Sequence, residues 1–370
     1  MQTNNKINVG IVASSLAGGG AERTSAKLSQ ILEGFGFHVH VITVLSGEDF
    51  KFSGQRFDLG ILKAKGTPIF GRLQRLIAFK QYLKKHDISI VVDSRSRPTF
   101  IKEWLINKLV YTKLNVVYWV HNYNTETYIP KARFLARLIY KSDTNFITVS
   151  QAINEKIKQN YGFTNVTTIY NAFDKDFLNY ATDVNLNLPE QYILYFGRLV
   201  NKSKNITLLI NAYSQSKLPM QNVKLVILGD GEDKVELQQL ASALKLEEYV
   251  LFYNFTKAPA KFIKDAKYTV LTSRYEGFPM VLLESLSMGT PVVSVDCQSG
   301  PSEIILDKQN GLLVENFNTE TLAVALNTFI FDTDLYSACK ASAKSSVSHL
   351  SEEVIGAQWS NYLKRINETN

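Results

Sequence analysis

Apolar and polar positions along this chain alternate between two rhythms. Short apolar runs read as buried strands of parallel type: Lys6–Ser14, His38–Leu45, Phe57–Leu62, Ile88–Asp93, Asn115–Val120, Phe146–Ser150 and Val166–Tyr170 in the first half. In the second half the same pattern marks a strand ending at Gly197-Arg198, then Val223–Leu228, Val250–Phe255, Tyr268–Ser273 and the run PVVSV that ends at Val295. Segments with helical spacing separate them, first at Ser25–Glu33. Strands alternating with helices predict doubly wound α/β sheets. Residues 176–190 carry little periodicity and read as a linker between domains at 1–175 and 191–350.

Within the first half, residues 69–87 place Phe70, Leu73, Leu76, Ile77 and Leu83 at helical spacing, interleaved with Arg72, Arg75, Lys80, Lys84 and Lys85. A basic amphipathic helix of this kind can lie on an anionic bilayer, or it can pack on a sheet with its charges in water. The segment YIPKARFLARLIYK, residues 128–141, is a second basic helix.

Composition narrows the classes. The chain has 370 residues, 45% of them apolar, enough for two cored domains. Its two cysteines, Cys297 and Cys339, stand far apart with no CxxC or Cys/His cluster, which argues against a disulfide framework or a thiolate metal site. The opening MQTNNKINVGIVASS has no signal-peptide core, and no apolar run is long enough to span a bilayer, so a cytoplasmic location is expected. Charge is unevenly spread. Residues 1–175 carry 24 Lys and Arg against 12 Asp and Glu, a balance of +12, while the remainder carries 17 against 22, a balance of −5. The first half is therefore expected to face something anionic, such as a phosphorylated acceptor, a membrane surface or a nucleic acid. No recognised nucleic-acid-binding motif accompanies that charge, so nucleic acid is not expected as a partner.

The candidate chemistry sits on loops that follow strands. After the first strand, SLAGGGAERT places Gly19 and Gly20 near a helix start, where backbone N–H groups suit an anion. It fails as a dinucleotide fingerprint, because Arg23 occupies the third glycine position. His121 follows the strand Asn115–Val120, at the edge where open α/β sheets bind ligands. Arg95 and Arg97 follow Ile88–Asp93 and are further candidates for an anionic acceptor. In the second half, Arg198 and Lys204 flank a helix that opens near Asn205, and two cations there suit a diphosphate, with Lys202 as a second candidate lysine. Gly229 opens the GDGE loop. The stretch Glu276–Asp296 reads as loop, helix, turn and strand: Pro279 stands where the helix begins, Gly289 stops it, and Glu276 and Glu284 bracket the turn. Asp332-Thr333-Asp334 has the spacing of a metal-binding pair of aspartates, but it lies between C-terminal helices and is rejected as such.

Gly19-Gly20-Ala21-Glu22-Arg23, the Arg198–Lys204 loop, GDGE, the stretch from Glu276, SGPSEII and NGLLV together resemble glycosyltransferase family 4. The resemblance spans almost the whole chain. It implies the GT-B fold, two facing Rossmann-like domains with a last helix, residues 351–370, crossing back to the first. It also implies a retaining transfer of sugar from a nucleotide-sugar donor, UDP-linked in expectation, to a saccharide or lipid-linked acceptor. The setting it implies is bacterial O-antigen, capsule or lipopolysaccharide synthesis at the inner face of the cytoplasmic membrane. In this reading Arg198 and Lys204 hold the diphosphate, Glu284 the ribose, and Glu276 with the backbone of Gly277, Phe278, Pro279, Met280 and Val281 grips the sugar. His121 lies near that sugar and Gly229 under the nucleotide. No metal or other cofactor is expected. A sugar-nucleotide epimerase of the same fold, or a basic membrane- or nucleic-acid-binding protein without catalysis, are the alternatives.

Overall fold

The computed structural model describes residues 7–62, 68–175, 187–256, 258–315 and 317–368. The predicted linker, 176–190, falls outside them except for its last four residues. The chain divides into two compact units, Met1–Asn171 with Glu352–Asn370, and Ala172–Ser351.

In the first unit the described strands are β1 (Asn8–Ala13), β2 (His38–Thr43), β3 (Gln55–Asp58), β4 (Ile90–Asp93), β5 (Asn115–Val120), β6 (Asn145–Thr148) and β7 (Val166–Thr168). All pair in parallel in the order β3-β2-β1-β4-β5-β6-β7. The near-continuous burial of β1, β4 and β5 reflects a sheet covered on both faces. The helix Glu352–Glu368 packs within this unit. Its Trp359 meets Trp119 at 4.8 Å between ring centroids, and Gly356 leaves room for Phe35 and Ile31.

The second unit carries β8 (Tyr192–Phe196), β9 (Lys224–Leu228), β10 (Val250–Tyr253), β11 (Thr269–Leu271), β12 (Val292–Val295) and β13 (Gly311–Val314), parallel in the order β10-β9-β8-β11-β12-β13. Alternate residues of β8 enter opposite cores. Ile193 and Tyr195 face one, and Tyr192, Leu194 and Phe196 the other. In each sheet the strand order reverses beside the first strand, between β1 and β4 and between β8 and β11. Loops leaving the carboxyl ends at such a reversal cannot both cross the same face, and the space between them is where open α/β sheets hold ligands.

The expected α/β architecture is present as two parallel, Rossmann-like sheets, with two local differences. The helix after β1 starts at Gly20, not Ser25, with Gly19 as its N-cap, so the GGAER run forms the first helical turn itself. The helix Pro68–Lys85 buries only part of the stripe the spacing suggested. Leu73 and Ile77 are 52% and 47% exposed, while Phe79 and Leu83 are buried. At about 100° per residue, Leu73, Ile77, Lys80 and Lys84 fall within about 60° of one another, and Phe79 and Leu83 lie on another face. The side chain of Phe70 lies outside the described residues. No described helix is long and apolar enough to cross a membrane.

Candidate active site

The loops leaving β8 and β11 meet at the reversal of the second sheet. After β8 the chain forms a single helical turn, Asn201–Lys204, breaks at Asn205 (φ 50°, ψ 45°), and enters the helix Ile206–Gln215. After β11 it runs through Thr272 and Ser273 to Glu276. Lys204 Nζ donates to Glu276 Oε1 at 2.6 Å, and Ser273 Oγ donates to the same oxygen at 2.6 Å. Two of the sequence candidates, 72 positions apart, are thus in direct contact. Lys204 is partly buried, whereas Lys202 is exposed on the outer side of its turn. Arg198 is exposed at the start of the same loop, and its carbonyl accepts a hydrogen bond from the buried Tyr195 hydroxyl at 3.1 Å.

Glycine at position 229 has a backbone cause. With φ 153°, a Cβ there would lie 1.9 Å from the Gly197 carbonyl oxygen, so the GDGE loop can tuck under the β8 loop only without a side chain. Asp233 in turn accepts from the Asn201 N–H at 2.6 Å, tying the two loops together.

The helix of the Glu276 stretch runs Met280–Ser287, with Pro279 one residue before it in extended backbone (ψ 98°). Gly277 and Phe278 are buried, and Met280 and Val281 are half-buried, with Val281 packed on the Tyr192 core. The N–H groups of Met280 and Val281 stand at the helix start, where no preceding turn supplies them with helical partners, and suit an anionic ligand. Glu284 is 3% exposed on this helix. A second segment braces the loop. Ser299 Oγ donates to the Gly277 carbonyl at 2.8 Å, and a Cβ at Gly300 (φ 101°) would strike Pro279 Cδ at 2.3 Å. SGPSEII thus has a definite task, which is to let the 277–279 loop lie flat against it.

In the first unit, Gly18 and Gly20 have open space where a Cβ would stand, and Gly19 is kept bare by the Glu22 carboxylate folding back over it. His121 follows β5 as expected, its ring 4.2 Å from that of Trp119 and its Nε2 buried without a hydrogen-bond partner. Burial, then the nearby Arg97 charge, push its pKa down to about 3. The imidazole is therefore neutral near pH 7 and can hydrogen-bond a hydroxyl, but it is no proton reservoir.

Arg95 and Arg97 overturn the expectation placed on them. They are buried, and their guanidinium groups turn to internal partners rather than to an acceptor, with Arg97 bonding the carbonyls of Asp93, Arg95 and Tyr128. Arg95 bonds both oxygens of Asp93, at 2.9 and 2.6 Å, and reaches Glu103 at 3.0 Å, while Tyr111 also donates to Asp93 at 2.8 Å. Burial alone would raise the Asp93 pKa, but Arg95 and Arg97 outweigh it and hold the carboxyl below its ordinary value. Two cations and two carboxylates make a balanced internal network, since buried charges persist only when paired. The Asp332-Thr333-Asp334 pair is likewise structural, with Asp332 capping the helix Thr333–Ser346 through the Leu335 N–H at 2.9 Å. Among the described residues, no group of three or more His, Cys, Asp or Glu is placed to hold a metal.

Sequence reasoning missed the residues that fix this geometry: Ser273, which shares Glu276 with Lys204; Thr272, which bonds the Lys204 carbonyl; and Arg274, which bonds the flanking Ser203 and Asn205. Polar residues scattered after a strand carry no periodic signal that would have singled them out.

Two parallel-sheet units, with a cation and a carboxylate brought together at the second sheet's reversal, define a two-domain α/β protein of Rossmann type. Residues 18–177 match the family described as Glycosyltransferase Family 4, and residues 177–346 match Glycosyl transferases group 1. The chain is 32% identical over 353 residues to the N-acetylgalactosamine-N,N'-diacetylbacillosaminyl-diphospho-undecaprenol 4-alpha-N-acetylgalactosaminyltransferase of Campylobacter jejuni, spanning 91% of this chain and 93% of that one. It is 26% identical to the amylovoran biosynthesis glycosyltransferase AmsD of Erwinia amylovora, spanning 93% and 96%. Among solved structures, Anabaena HepE in complex with UDP matches with a TM-score of 0.78 at 21% identity, spanning 97% of this chain and all of that one. The chain belongs to the group 1, family 4 glycosyltransferases.

Proposed function

We propose that the protein transfers a sugar from a UDP-sugar to a lipid-linked or saccharide acceptor, with retention at the anomeric carbon, in bacterial surface-polysaccharide synthesis. The observation that carries this reading is the meeting of Lys204 and Glu276 beside the Met280–Ser287 helix start. In the reaction the bond between the anomeric carbon and the donor phosphate oxygen breaks, and the acceptor oxygen bonds to that carbon on the same face. The acceptor's proton goes to a donor phosphate oxygen. The departing diphosphate gains charge, and Arg198, Lys204 and the N–H groups of the 280–281 turn are set where that charge grows. Glu284 binds the ribose hydroxyls. Glu276 and the 277–281 backbone position the sugar, and the neutral His121 ring is suited to hydrogen-bond a hydroxyl group. The α-linked product named for the Campylobacter relative, and its undecaprenol-bound acceptor, support this reading of linkage and acceptor class.

Arg198 and Lys204 supply the positive charge themselves, so no divalent metal is required. A panel of UDP-sugars, incubated with an undecaprenyl-diphosphate-linked saccharide and excess EDTA, should show one donor consumed with stoichiometric UDP release. Turnover lost to EDTA and restored by Mg²⁺ or Mn²⁺ would contradict the metal-independent part. A sugar nucleotide altered without acceptor would favour the epimerase instead.

A lipid-linked acceptor places the enzyme at a membrane surface, and the first unit has a face to suit. Leu73 and Ile77 stand exposed beside Lys80 and Lys84, with Arg72 exposed elsewhere on the same helix, and the neighbouring helices Phe100–Leu109 and Arg133–Ile139 expose Ile101, Trp104, Phe134 and Leu138. Each basic residue near an anionic leaflet contributes about 1 kcal/mol, screened by salt. Replacing Arg72, Lys80 and Lys84 by glutamate should release the protein from anionic vesicles in low-salt co-sedimentation, while activity on a water-soluble acceptor persists. A wild-type protein that stays in the supernatant at low salt would end the membrane reading.

A further inference from the structure

The geometry points to Arg274 as a positioning residue for Lys204, one that acts through the backbone of the lysine's own turn. This inference rests on the reading of Lys204 as the diphosphate-binding lysine. Lys204 ends a helical turn only four residues long, too short to hold itself in place. Its direction depends on Asn205, which adopts left-handed backbone (φ 50°, ψ 45°) and thereby ends one helix and opens the next. A non-glycine residue in that region is strained unless its surroundings hold it, and asparagine tolerates it best.

The surroundings that hold it come from the segment after β11. The Arg274 N–H donates to the Ser203 carbonyl at 2.8 Å. Thr272 Oγ1 donates to the Lys204 carbonyl at 3.0 Å. The Arg274 guanidinium donates to Asn205 Oδ1 at 3.0 Å. Three successive residues, Ser203 to Asn205, are thus pinned by Thr272 and Arg274, and Glu276 of the same segment takes the lysine's ammonium. The guanidinium is fixed on its other side as well, 4.9 Å from the ring of Phe317 on the loop after β13. Phe317 itself has a positive φ of 63°.

Arg274 does not enter the Lys204–Glu276 contact, and it is an exposed residue outside the core, so its removal costs little core packing. What it removes is the outer half of a latch. The turn can then rotate about Asn205 and carry the ammonium away from the position where phosphate charge develops. A misplacement of about 1 Å at a reacting centre costs up to about a hundredfold in rate.

The test is a double-mutant cycle on turnover with a UDP-sugar, joined to donor KM and to thermal unfolding. Arg274→Ala should lower kcat by about ten- to a hundredfold, with a smaller rise in donor KM and a nearly unchanged Tm. Arg274→Lys, which can still reach Asn205 and Phe317 with one charge, should recover part of the loss. In a Lys204→Ala background, Arg274→Ala should add little further loss, because the residue it positions is already gone. Losses that multiply in the double variant, or an Arg274→Ala enzyme with full kcat, would overturn the latch while leaving the glycosyltransferase reading intact. A Lys204→Ala enzyme with unimpaired turnover would instead sink the reading of the lysine on which the latch depends. If Arg274→Ala fails to fold, Arg274→Met keeps the aliphatic stem, and Phe317→Leu removes the ring stop with the same expected direction.

Discussion

Lys204→Ala should lose about a hundred- to thousandfold in kcat, the usual cost of removing one preorganised group from a developing negative charge, equivalent to about 2.7–4 kcal/mol of barrier. The expectation follows from where the lysine sits. It is partly buried, its ammonium is held 2.6 Å from Glu276, and its turn is anchored at Ser203, Lys204 and Asn205 by Thr272 and Arg274. A cation held in place before the substrate arrives does not have to be reorganised as the diphosphate departs. Arg198→Ala should fall in the same range, although Arg198 is more exposed and so more screened by water. Lys202→Ala should be close to silent, since Lys202 faces outward from the turn. Steady-state rates with a UDP-sugar check all three, alongside unfolding scans, where only small changes are expected from loop positions. A damaging Lys202→Ala with a silent Lys204→Ala would mean that the turn presents the other lysine to the donor.

The second large effect separates the two glutamates. Glu284 is buried on the first turns of the Met280–Ser287 helix, and Glu284→Gln should weaken UDP binding, because an amide replaces a charged acceptor for the ribose hydroxyls. Glu276→Ala should behave in the opposite sense. It removes the carboxylate that positions the sugar, so transfer falls steeply. It also frees the Lys204 ammonium from its ion pair, so affinity for UDP stays the same or tightens. Calorimetry with UDP and rates with the sugar donor give the two numbers for each variant. Parallel losses of UDP affinity in both variants would contradict the division of labour.

Much of the architecture was legible because parallel strands buried on both faces leave continuous apolar runs, and those runs located most strands to within a residue or two; the half-exposed β3, at Gln55–Asp58 rather than Phe57–Leu62, was displaced, and the short β13 was not picked out as a strand. The sequence was less informative where one helix carries two apolar stripes. In Pro68–Lys85, Leu73 and Ile77 have the same spacing as Phe79 and Leu83, and only packing on the sheet decides which pair is covered. Candidate charges were legible by their place after strands, but their burial was not. Arg95 and Arg97 occupy the ligand edge of β4, yet they turn inward because Asp93 and Glu103 are there to neutralise them. The pairing of Lys204 with Glu276 depends on β8 and β11 being neighbours, which a reversal of strand order brings about and a linear reading does not display. Gly229 and Gly300 were visible as glycines, whereas the carbonyl of Gly197 and the ring of Pro279 that require them come from distant segments.

The most direct test of the central claim is a calorimetric titration of UDP into the wild-type protein and into Lys204→Ala, both in excess EDTA. One UDP site per chain is expected in the wild type, with affinity at least tenfold weaker in the variant, a loss of about 1.4 kcal/mol or more. Absence of UDP binding to the wild type without a metal, or equal affinity in the two proteins, would contradict it.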